Sequence, residues 1–261
     1  MARSAAAVSP TAYYTGHVWV RHGLAPTSWR TRPGRLMYAA LQPAMLASRT
    51  VDGPTLESFL LARHRLIDQL LTEAIEAGEV TQVVEIAAGM SPRGLWFTDN
   101  YPVRYVETDL PAMAARKRDL LGTRPDHHQV VAADALGTGP GSLVDVLAGL
   151  DRSAGVAVIS EGLLNYLPAA DVRRLWATIA GALAEHPHGR YLSDLHLSGE
   201  NTGAAARIGA QMIGAFVRGR IHLHFTDTDE AQRVLLESGF TAATLHQPGS
   251  GLVRVVDAHA R

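Results

Sequence analysis

Short apolar segments alternate with helical stretches between Thr81 and Leu197, and this alternation constrains the fold more than any other feature. The strand candidates are TQVVEIA, VRYVETD, HQVVAA, GVAVIS and RYLSDLHL, with helices predicted around residues 92–99, 111–121, 141–149 and 169–185. Alternation at this spacing is typical of a parallel sheet with helices on both faces. After a further helix in TDTDEAQRVLLESGF, the segments TAATLH and GLVRVVDA predict an antiparallel hairpin at the sheet edge. The sequence therefore predicts an α/β fold around a mostly parallel sheet of seven strands.

The chain before this sheet falls into two parts. Residues 10 to 55 are rich in aromatic residues, Arg and Pro without a clean period, which predicts short helices and loops. From Thr55 to Gly78, apolar residues recur at intervals of three and four, which predicts a long amphipathic helix that Thr55 caps and Gly78 ends. We expect residues 1–55 to cover a main domain of residues 56–261, which carries a helical insertion around residues 199–224.

Composition excludes several classes of function. The formal net charge of −1 gives no electrostatic footprint for nucleic acid or for an anionic membrane. No segment approaches about eighteen uninterrupted apolar residues, and the N-terminus lacks the apolar core of a signal peptide, so neither membrane insertion nor export is predicted. The absence of cysteine excludes disulfides, thiolate nucleophiles and Cys-ligated metals. We expect a cytoplasmic protein, monomeric or homodimeric, that acts on a small molecule.

The turn after the first predicted strand, EIAAGMSPRG, has the outline of a strand, a tight turn and a helix start. A dinucleotide-binding loop would have the pattern G-x-G-x-x-G at this place. Here only Gly89 fits that pattern, Ala87 stands at the first glycine position, and Pro92 begins the next helix. The turn therefore disfavours a pyrophosphate, and with it an NAD-dependent oxidoreductase, and suits a nucleoside with a zwitterionic tail.

Acidic residues lie at or near the ends of four successive predicted strands, where ligands bind in open parallel sheets. Glu85 would accept hydrogen bonds from the tail of such a ligand, directly or through water, and Asp109, twenty positions after Gly89, would take both ribose hydroxyls. Asp134 would accept from an adenine amino group, and Glu161 follows the fourth strand. A lone acid at a strand end is often only a helix cap, but four in succession indicate a ligand site.

Two details of this edge refine the expectation. Glu107 lies on the same strand face as Asp109, so either acid could bind the ribose, and the strand-end position favours Asp109. Asn165 and Tyr166 follow Glu161 and would lie over the cleft.

Four motifs occur in order along the chain: VVEIAAGMSPRG, YVETDLPAMAARKRDLL, VVAADAL and SEGLLNYLP. Together they resemble the leucine carboxyl methyltransferase family, including its bacterial branch of polyketide O-methyltransferase-like proteins, over roughly residues 55 to 185. The resemblance implies a Rossmann-like class I methyltransferase fold, the cofactor S-adenosyl-L-methionine (SAM) and a biosynthetic role in secondary metabolism. The chain departs from the family at Ala87, where Gly is common, and at Ser91-Pro92, where many bacterial members have an Asp before the Arg.

The same resemblance implies roles for individual residues. The segment ARHRLID matches an ARTRxID-like segment of the family, which makes Arg63 the residue that grips the cofactor carboxylate. Gly89 is implied to approach the methionine portion, Asp109 the ribose, Asp134 the adenine edge and Glu161 the amino group. The predicted cofactor-binding set also contains four residues beside these positions: Glu85, Ala87, Leu110 and Ala135.

Histidines are the candidate bases for a methyl acceptor. A carboxylate acceptor needs no base, whereas a hydroxyl acceptor needs one, for which His17, His196, His222 and His224 are candidates. Most of the 12 histidines must be ordinary surface or capping residues. A zinc site from His196 and the HLHF segment would be little more than a coincidence of composition.

Aromatic residues are the other candidates on the acceptor side. Tyr13, Tyr14, Trp19 and Trp29 are expected to fix the N-terminal segment onto the main domain through apolar burial. A sharper hypothesis is that one of them, or Tyr166, places its ring against the sulfonium of the cofactor. The predicted catalytic residues are Tyr166, Asn165 and Tyr14.

Three functions are consistent with this sequence. The leading one is an O-methyltransferase that acts on a carboxylate or hydroxyl of a small metabolite. The second is a SAM-consuming cyclase or lyase, which needs no second substrate and yields azetidine-2-carboxylate and methylthioadenosine. The third is a module that binds SAM without turnover, favoured if Ala87 and the Ser91-Pro92 turn distort the pocket. Methylation of a protein is disfavoured, because no segment predicts a peptide groove.

Overall fold

A mixed sheet of seven strands organises the chain, of which the computed structural model describes residues 10–49, 56–199, 222–249 and 253–261. The strands are β1 Gln82–Ile86, β2 Arg104–Asp109, β3 His128–Ala132, β4 Val156–Ser160, β5 Gly189–Leu195, β6 Ala242–His246 and β7 Arg254–His259. They lie in the order β3-β2-β1-β4-β5-β7-β6. β1 to β5 run parallel, whereas β7 is antiparallel to both β5 and β6. The predicted Rossmann-like fold with an antiparallel C-terminal hairpin is confirmed.

Helices cover both faces of this sheet. Within the described residues they are α1 Pro10–Arg21, α2 Arg32–Arg49, α3 Leu56–Glu76, α4 Arg93–Asn100, α5 Pro111–Leu121, α6 Leu143–Ala148, α7 Ala169–Leu183 and α8 Thr228–Glu237. Two short 3₁₀-helices also occur, at Thr27–Trp29 and Leu164–Tyr166. β1 and β4 are buried at every position, as expected for central parallel strands that are covered on both faces.

The C-terminal hairpin lies at one edge of the sheet, as predicted. Its strand β7 pairs with β5, and β6 forms the edge itself. The sequence explains this order, because β7 is buried from Val255 to Ala258 whereas β6 exposes Ala242 and Thr244. The continuously buried strand suits an interior position, and the partly exposed one suits an edge.

The strand register aligns the carboxyl ends of β1, β2, β4 and β5. Ile86 is opposite Thr108 in β2 and Ser160 in β4, and Ser160 is opposite Ser193 in β5. Residues that follow these positions therefore meet along one edge of the sheet, which we call the ligand edge. Ligands bind at this edge in open α/β sheets.

The N-terminal region forms longer helices than predicted. Short helices and loops were expected for residues 10 to 55, but α1 has 12 residues and α2 has 18. The two helices form an apolar cluster with α3 to which Val18, Trp29 and Phe59 contribute. Trp29 fixes this region to helix α5 of the main domain, since its Nε1 donates to the Leu120 carbonyl at 3.1 Å. The prediction that aromatic burial anchors the N-terminal segment agrees with these contacts.

Some predictions lie outside the described residues. They concern the helix cap Thr55 and most of the helical insertion, residues 200–221. No helix among the described residues has both the length and the apolar character that a membrane span requires.

Candidate active site

The turn after β1 requires two residues in the left-handed region of backbone conformation. Ala87 has φ 53° and Gly89 has φ 53°. Ala87 is the only residue other than glycine with positive φ in the described part of the chain. Because the left-handed region costs an alanine about 1–2 kcal/mol, Gly is the natural residue at this position, and Ala87 stores strain at the ligand edge.

Asp109 at the end of β2 is joined to this turn. Its Oδ2 accepts from the backbone N–H of Gly89 at 2.8 Å, and its Oδ1 accepts from the N–H of Leu110 at 2.7 Å. Burial raises the pKa of the Asp109 carboxyl, an effect that the two backbone N–H groups partly offset. The structure thus brings together three predicted site residues, Gly89, Asp109 and Leu110.

Glu107 lies away from the ligand edge, although it is only two residues before Asp109. Its side chain is fully buried, with Oε1 2.8 Å from His128 Nε2 and Oε2 2.5 Å from Lys117 Nζ. Of the two acids considered for the ribose, only Asp109 is therefore positioned at the strand end.

Glu85 lies near the end of β1 and is buried by hydrogen-bond partners from the chain itself. Its residue is 1% exposed, and its two carboxylate oxygens accept from Arg93 Nη1 at 2.7 Å and from the Tyr105 hydroxyl at 2.8 Å. The pleat of β1 explains this position, because Glu85 shares its strand face with Val83, which packs in the cluster that also contains Phe97 of α4. Glu85 thus faces the interior beneath α4, and its role in binding the ligand tail stays a prediction.

Arg63 and Glu161, which the resemblance assigns to the two ends of the amino-acid tail, form a buried ion pair. Arg63 Nε in α3 donates to Glu161 Oε1 at 3.0 Å, and Arg63 Nη1 donates to Asp194 Oδ2 at 2.5 Å. Burial opposes ionisation of Glu161, but His64, Arg93 and Arg63 together hold the pKa of Glu161 well below its usual range. Glu161 is therefore a carboxylate whose charge is balanced by guanidinium groups.

Arg93 is a site residue that sequence reasoning missed. It is 1% exposed, and its three nitrogens donate to Asp68 Oδ1 at 2.5 Å, Glu85 Oε1 at 2.7 Å and Glu161 Oε2 at 2.6 Å. Arg93 thus connects α3, β1 and the segment after β4. The only sequence signal was its place in the turn motif SPRG.

Asp194 and His64 were also missed. Asp194 is the second-last residue of strand β5. The rule that selected acids at the ends of four strands would therefore have found it at the end of the fifth. His64 Nδ1 lies 2.8 Å from Glu161 Oε2, and the His64 ring stacks on Trp19 of α1 with centroids 4.3 Å apart. His64 therefore connects the buried ion network to the N-terminal helix.

Helix α1 crosses the ligand edge. Tyr166 donates its hydroxyl to Thr11 Oγ1 at 3.3 Å, which joins α1 to the segment after β4. At the turn after β1, a β-carbon added at Gly16 would lie 2.9 Å from Met90 Cε, so the helix and the turn are in close contact. Tyr166 is 39% exposed, and its catalytic role stays a prediction.

Tyr14, which was predicted to be catalytic, is buried between α1 and α2. The residue is 4% exposed, and its ring stacks on Tyr38 of α2 with centroids 6.1 Å apart. Ala12 and Gly16 both face the turn, since a β-carbon added at Gly89 would lie 3.8 Å from Ala12 Cβ. Tyr14 lies two residues from each of them, which is about 200° around the helix from the face that meets the turn. Burial, with the nearby Glu57 carboxylate, raises the pKa of the Tyr14 hydroxyl. Tyr14 therefore belongs to the packing between α1 and α2.

The remaining predicted cofactor residues lie at the far end of the ligand edge. Asp134 is exposed, and its Oδ1 accepts from the N–H of Leu136 at 2.9 Å. Ala135 is partly buried and packs against the main core. A role for these two residues in binding adenine stays a prediction.

Two of the candidate histidines lie beside the 3₁₀-helix Leu164–Tyr166. The N–H of His222 donates to the Asn165 carbonyl at 2.9 Å, and His224 Nε2 lies 3.0 Å from the Leu164 carbonyl. Because a carbonyl only accepts, His224 Nε2 carries the hydrogen of that bond. Burial lowers the pKa of His224, which favours the neutral ring.

The other two candidate histidines are positioned differently. His17 lies between α1 and α2 with its ring 4.9 Å from that of Tyr38, and burial together with nearby arginines lowers its pKa. His196 lies against Phe59, with ring centroids 5.1 Å apart, and its Nε2 is 3.9 Å from Asp194 Oδ2. Among the described residues, which include all four of these histidines, no three side chains form a group that could hold a metal ion.

Comparison with known proteins gives a consistent family. The sequence model of leucine carboxyl methyltransferases matches residues 26–180, more than half of the chain. A protein of Mycolicibacterium gilvum with the provisional name S-adenosyl-L-methionine-dependent methyltransferase is 38% identical over 136 residues, which cover 51% of this chain and 41% of that protein. One of Parafrankia with the same provisional name is 31% identical over 193 residues, or 66% of this chain and 59% of that protein. The matches thus span about half the length of these curated relatives.

Solved structures share the fold at low sequence identity. A crystal structure provisionally named a methyltransferase, from Thermobifida fusca, has a TM-score of 0.64 at 15% identity and covers 96% of this chain and 94% of that one. One provisionally named an O-methyltransferase, from Nostoc punctiforme, has a TM-score of 0.54 at 15% identity, with coverage of 74% and 55%. At these identities the likeness describes the arrangement of the sheet and its helices.

Proposed function

The chain belongs to the leucine carboxyl methyltransferase family, and from that premise we propose that it is a SAM-dependent O-methyltransferase acting on a carboxylate or hydroxyl of a small metabolite. One observation carries the proposal. The Gly89 N–H donates to Asp109 Oδ2 at 2.8 Å, so the glycine and the strand-end acid of the family motifs lie together at the ligand edge. The names of the relatives in Mycolicibacterium gilvum and Parafrankia support the choice of cofactor.

The chemistry of the ligand edge fits a cofactor of this kind. SAM brings ribose hydroxyls, a carboxylate, an ammonium group and a sulfonium, and no phosphate. Asp109 would accept from the ribose hydroxyls, and Arg63 would hold the carboxylate. Of the three glycines of the phosphate-binding fingerprint only Gly89 is present, so the turn after β1 does not have the pattern of a phosphate-binding loop. Ala87 already adopts the left-handed conformation that the turn needs, so its methyl group does not unfold the turn.

The residues of the chain would contribute by orientation and by exclusion of water. When bound, SAM supplies a methyl group that is electrophilic because it is attached to a sulfonium. Asp109 and Arg63 would fix the two ends of the cofactor, so that the acceptor needs only to be aligned with it. Helix α1 crosses the ligand edge between Tyr166 and Met90, where it would keep water away from the reacting atoms. In this proposal the N-terminal segment is the cover of the site.

The acceptor class determines whether a base is needed. A carboxylate is ionised near neutral pH and reacts without one. For a hydroxyl acceptor, His224 is the better candidate, since its Nε2–H bond to the Leu164 carbonyl leaves Nδ1 as the proton-accepting atom of the neutral ring. Tyr166 and Asn165, on the same 3₁₀-helix, would line the acceptor side.

Calorimetry of two variants tests the cofactor part of the proposal. Asp109→Ala should abolish detectable SAM binding, because it removes the proposed ribose ligand; unchanged affinity would remove that assignment. Arg63→Ala should weaken SAM far more than methylthioadenosine, which lacks the carboxylate. Equal losses for both ligands would show that Arg63 acts only on the structure. Thermal melting of each variant controls for loss of the fold.

A second candidate function, the cyclisation of SAM, is favoured by one observation. Glu161 already has guanidinium partners at 3.0 Å from Arg63 and 2.6 Å from Arg93, and His64 lies 2.8 Å away. Because the oxygens of Glu161 already accept from two guanidinium groups, Glu161 is less available to hold the ammonium group of SAM, and loss of that ion pair favours the neutral amine that cyclisation needs. In that reaction the amine nitrogen bonds to the γ-carbon, the C–S bond breaks, and methylthioadenosine leaves. Formation of methylthioadenosine from SAM alone would distinguish this function from methyl transfer.

A further inference from the structure

Asp194 is a buried acid at the ligand edge that the cofactor-binding set does not contain. Its side chain is 3% exposed. Oδ1 accepts from the backbone N–H of Gly162 at 2.6 Å, and Oδ2 accepts from Arg63 Nη1 at 2.5 Å. The register explains the contact, because Ser160 of β4 is opposite Ser193 of β5, and Asp194 therefore lies beside the residues that follow β4.

These contacts close a ring around the Arg63 guanidinium. Arg63 Nε donates to Glu161 Oε1 at 3.0 Å, Arg63 Nη1 donates to Asp194, and Asp194 accepts from Gly162, the residue bonded to Glu161. The guanidinium is planar and rigid, so fixing two of its nitrogens fixes the direction of the third. Asp194 is the member of the ring that holds Nη1.

The third nitrogen, Nη2, is directed towards the backbone of Gly162. Among the described residues, Arg63 Nη2 makes no hydrogen bond. A β-carbon added at Gly162, which has φ 72°, would lie 3.1 Å from Nη2. This glycine therefore leaves open the space beside the one nitrogen of Arg63 that has no partner in the ring.

We propose that Asp194 is a positioning residue that aims Arg63, by holding Nη1 so that Nη2 meets the carboxylate of the amino-acid tail of the cofactor. The inference rests on the proposed function, since it assigns a partner to the residue proposed to bind that carboxylate. Asp194 would act through orientation and not through charge. A second acid beside Arg63 weakens the attraction of the guanidinium for a ligand carboxylate, so charge alone would make Asp194 unfavourable.

The variant Asp194→Asn separates these two effects because they have opposite signs. An amide in place of the carboxylate removes the negative charge, which by electrostatics alone would tighten binding of a carboxylate ligand. It also leaves one acceptor oxygen for two donors, Arg63 Nη1 and the Gly162 N–H, so one of the two bonds that hold the guanidinium in place is lost. The proposal predicts weaker binding.

The experiment is calorimetric titration of the full chain with SAM, S-adenosylhomocysteine and methylthioadenosine. Asp194→Asn should weaken SAM and S-adenosylhomocysteine by about tenfold, equivalent to about 1.4 kcal/mol, and change methylthioadenosine by less than about twofold. The matched control is Asp257→Asn, which disrupts another largely buried pair, with Arg190 at 2.8 and 2.7 Å, on the neighbouring strand β7. That control should lower thermal stability and leave the ratio of the three affinities unchanged.

Three outcomes would overturn the inference. They are tighter binding of SAM by Asp194→Asn, an equal loss for all three ligands, and a change of the affinity ratio in the control. If Asp194→Asn does not fold, Gly162→Ala tests the same geometry with every charge kept, since its methyl group would occupy the space beside Nη2. It should also weaken SAM and S-adenosylhomocysteine selectively, and an unchanged ratio would refute the proposal. A wild-type chain that binds none of the ligands would refute the proposed function itself.

Discussion

Ala87→Gly tests whether the turn after β1 is strained. Ala87 has φ 53°, in the left-handed region, which costs an alanine about 1–2 kcal/mol and a glycine almost nothing. Two losses oppose this gain. The unfolded chain gains entropy worth about 0.4–1 kcal/mol, and the partly buried methyl group of Ala87 contributes about 0.4 kcal/mol, half the value for a fully buried group. The net change in the free energy of unfolding should therefore lie between about −0.4 and +1.2 kcal/mol.

Chemical denaturation measures this change, and Ala88→Gly is its control. Ala88 is 9% exposed and has no positive φ, so the same substitution relieves no strain and should destabilise by about 1–2 kcal/mol. In thermal melts, 1 kcal/mol should correspond to about 2–4 °C for a chain of this size. If Ala87→Gly destabilises the protein as much as Ala88→Gly does, the turn is not strained at Ala87.

Two further predictions concern the fold. Burial raises the pKa of Asp257, but hydrogen bonds from His259 and Arg190 lower it more, so the folded pKa lies below the unfolded value of 3.8. Asp257 thus stabilises the fold above about pH 4 and loses this contribution as the pH falls. In urea denaturation, Asp257→Asn should be less stable than wild type at pH 7, and the difference should shrink in acid. A difference in stability that does not depend on pH would contradict this. Trp19→Ala should lower the free energy of unfolding by about 3–5 kcal/mol, because the residue is 3% exposed and its ring stacks on His64. Trp19→Phe should recover much of that loss. A loss below about 1 kcal/mol for Trp19→Ala would be evidence against this packing.

Local periodicity was sufficient to predict the sheet. Each strand from β1 to β5 is a short apolar run bounded by polar or helical residues, and a parallel register then brings the strand ends to one edge. The contact between Gly89 and Asp109, at 2.8 Å, follows from that geometry, because the turn after β1 and the end of β2 are neighbours. These features depend on residues close in sequence or on one simple rule of sheet topology.

Features that depend on contacts between distant elements were not predictable in the same way. Glu85 follows the strand pattern, but its partner Arg93 comes from α4 and turns its carboxylate inward. The orientation of α1 was also not predictable, because the helix buries residues on two faces and the sequence alone does not tell which face meets the sheet. For Tyr14 both a catalytic role and apolar burial were considered, and in the structure its ring stacks on that of Tyr38. Asp194 was missed because the strand-end rule was applied to four strands only.

The most direct test of the central claim is to identify the nucleoside product of the purified chain by mass spectrometry. The protein would be incubated with SAM alone, and with SAM and an extract of small metabolites, against controls without enzyme and with Asp109→Ala. A SAM-dependent methyltransferase should leave SAM unchanged in the first reaction and form S-adenosylhomocysteine in the second, but not with Asp109→Ala. Methylthioadenosine formed from SAM alone, above the control without enzyme, would contradict methyl transfer and establish the cyclase or lyase instead.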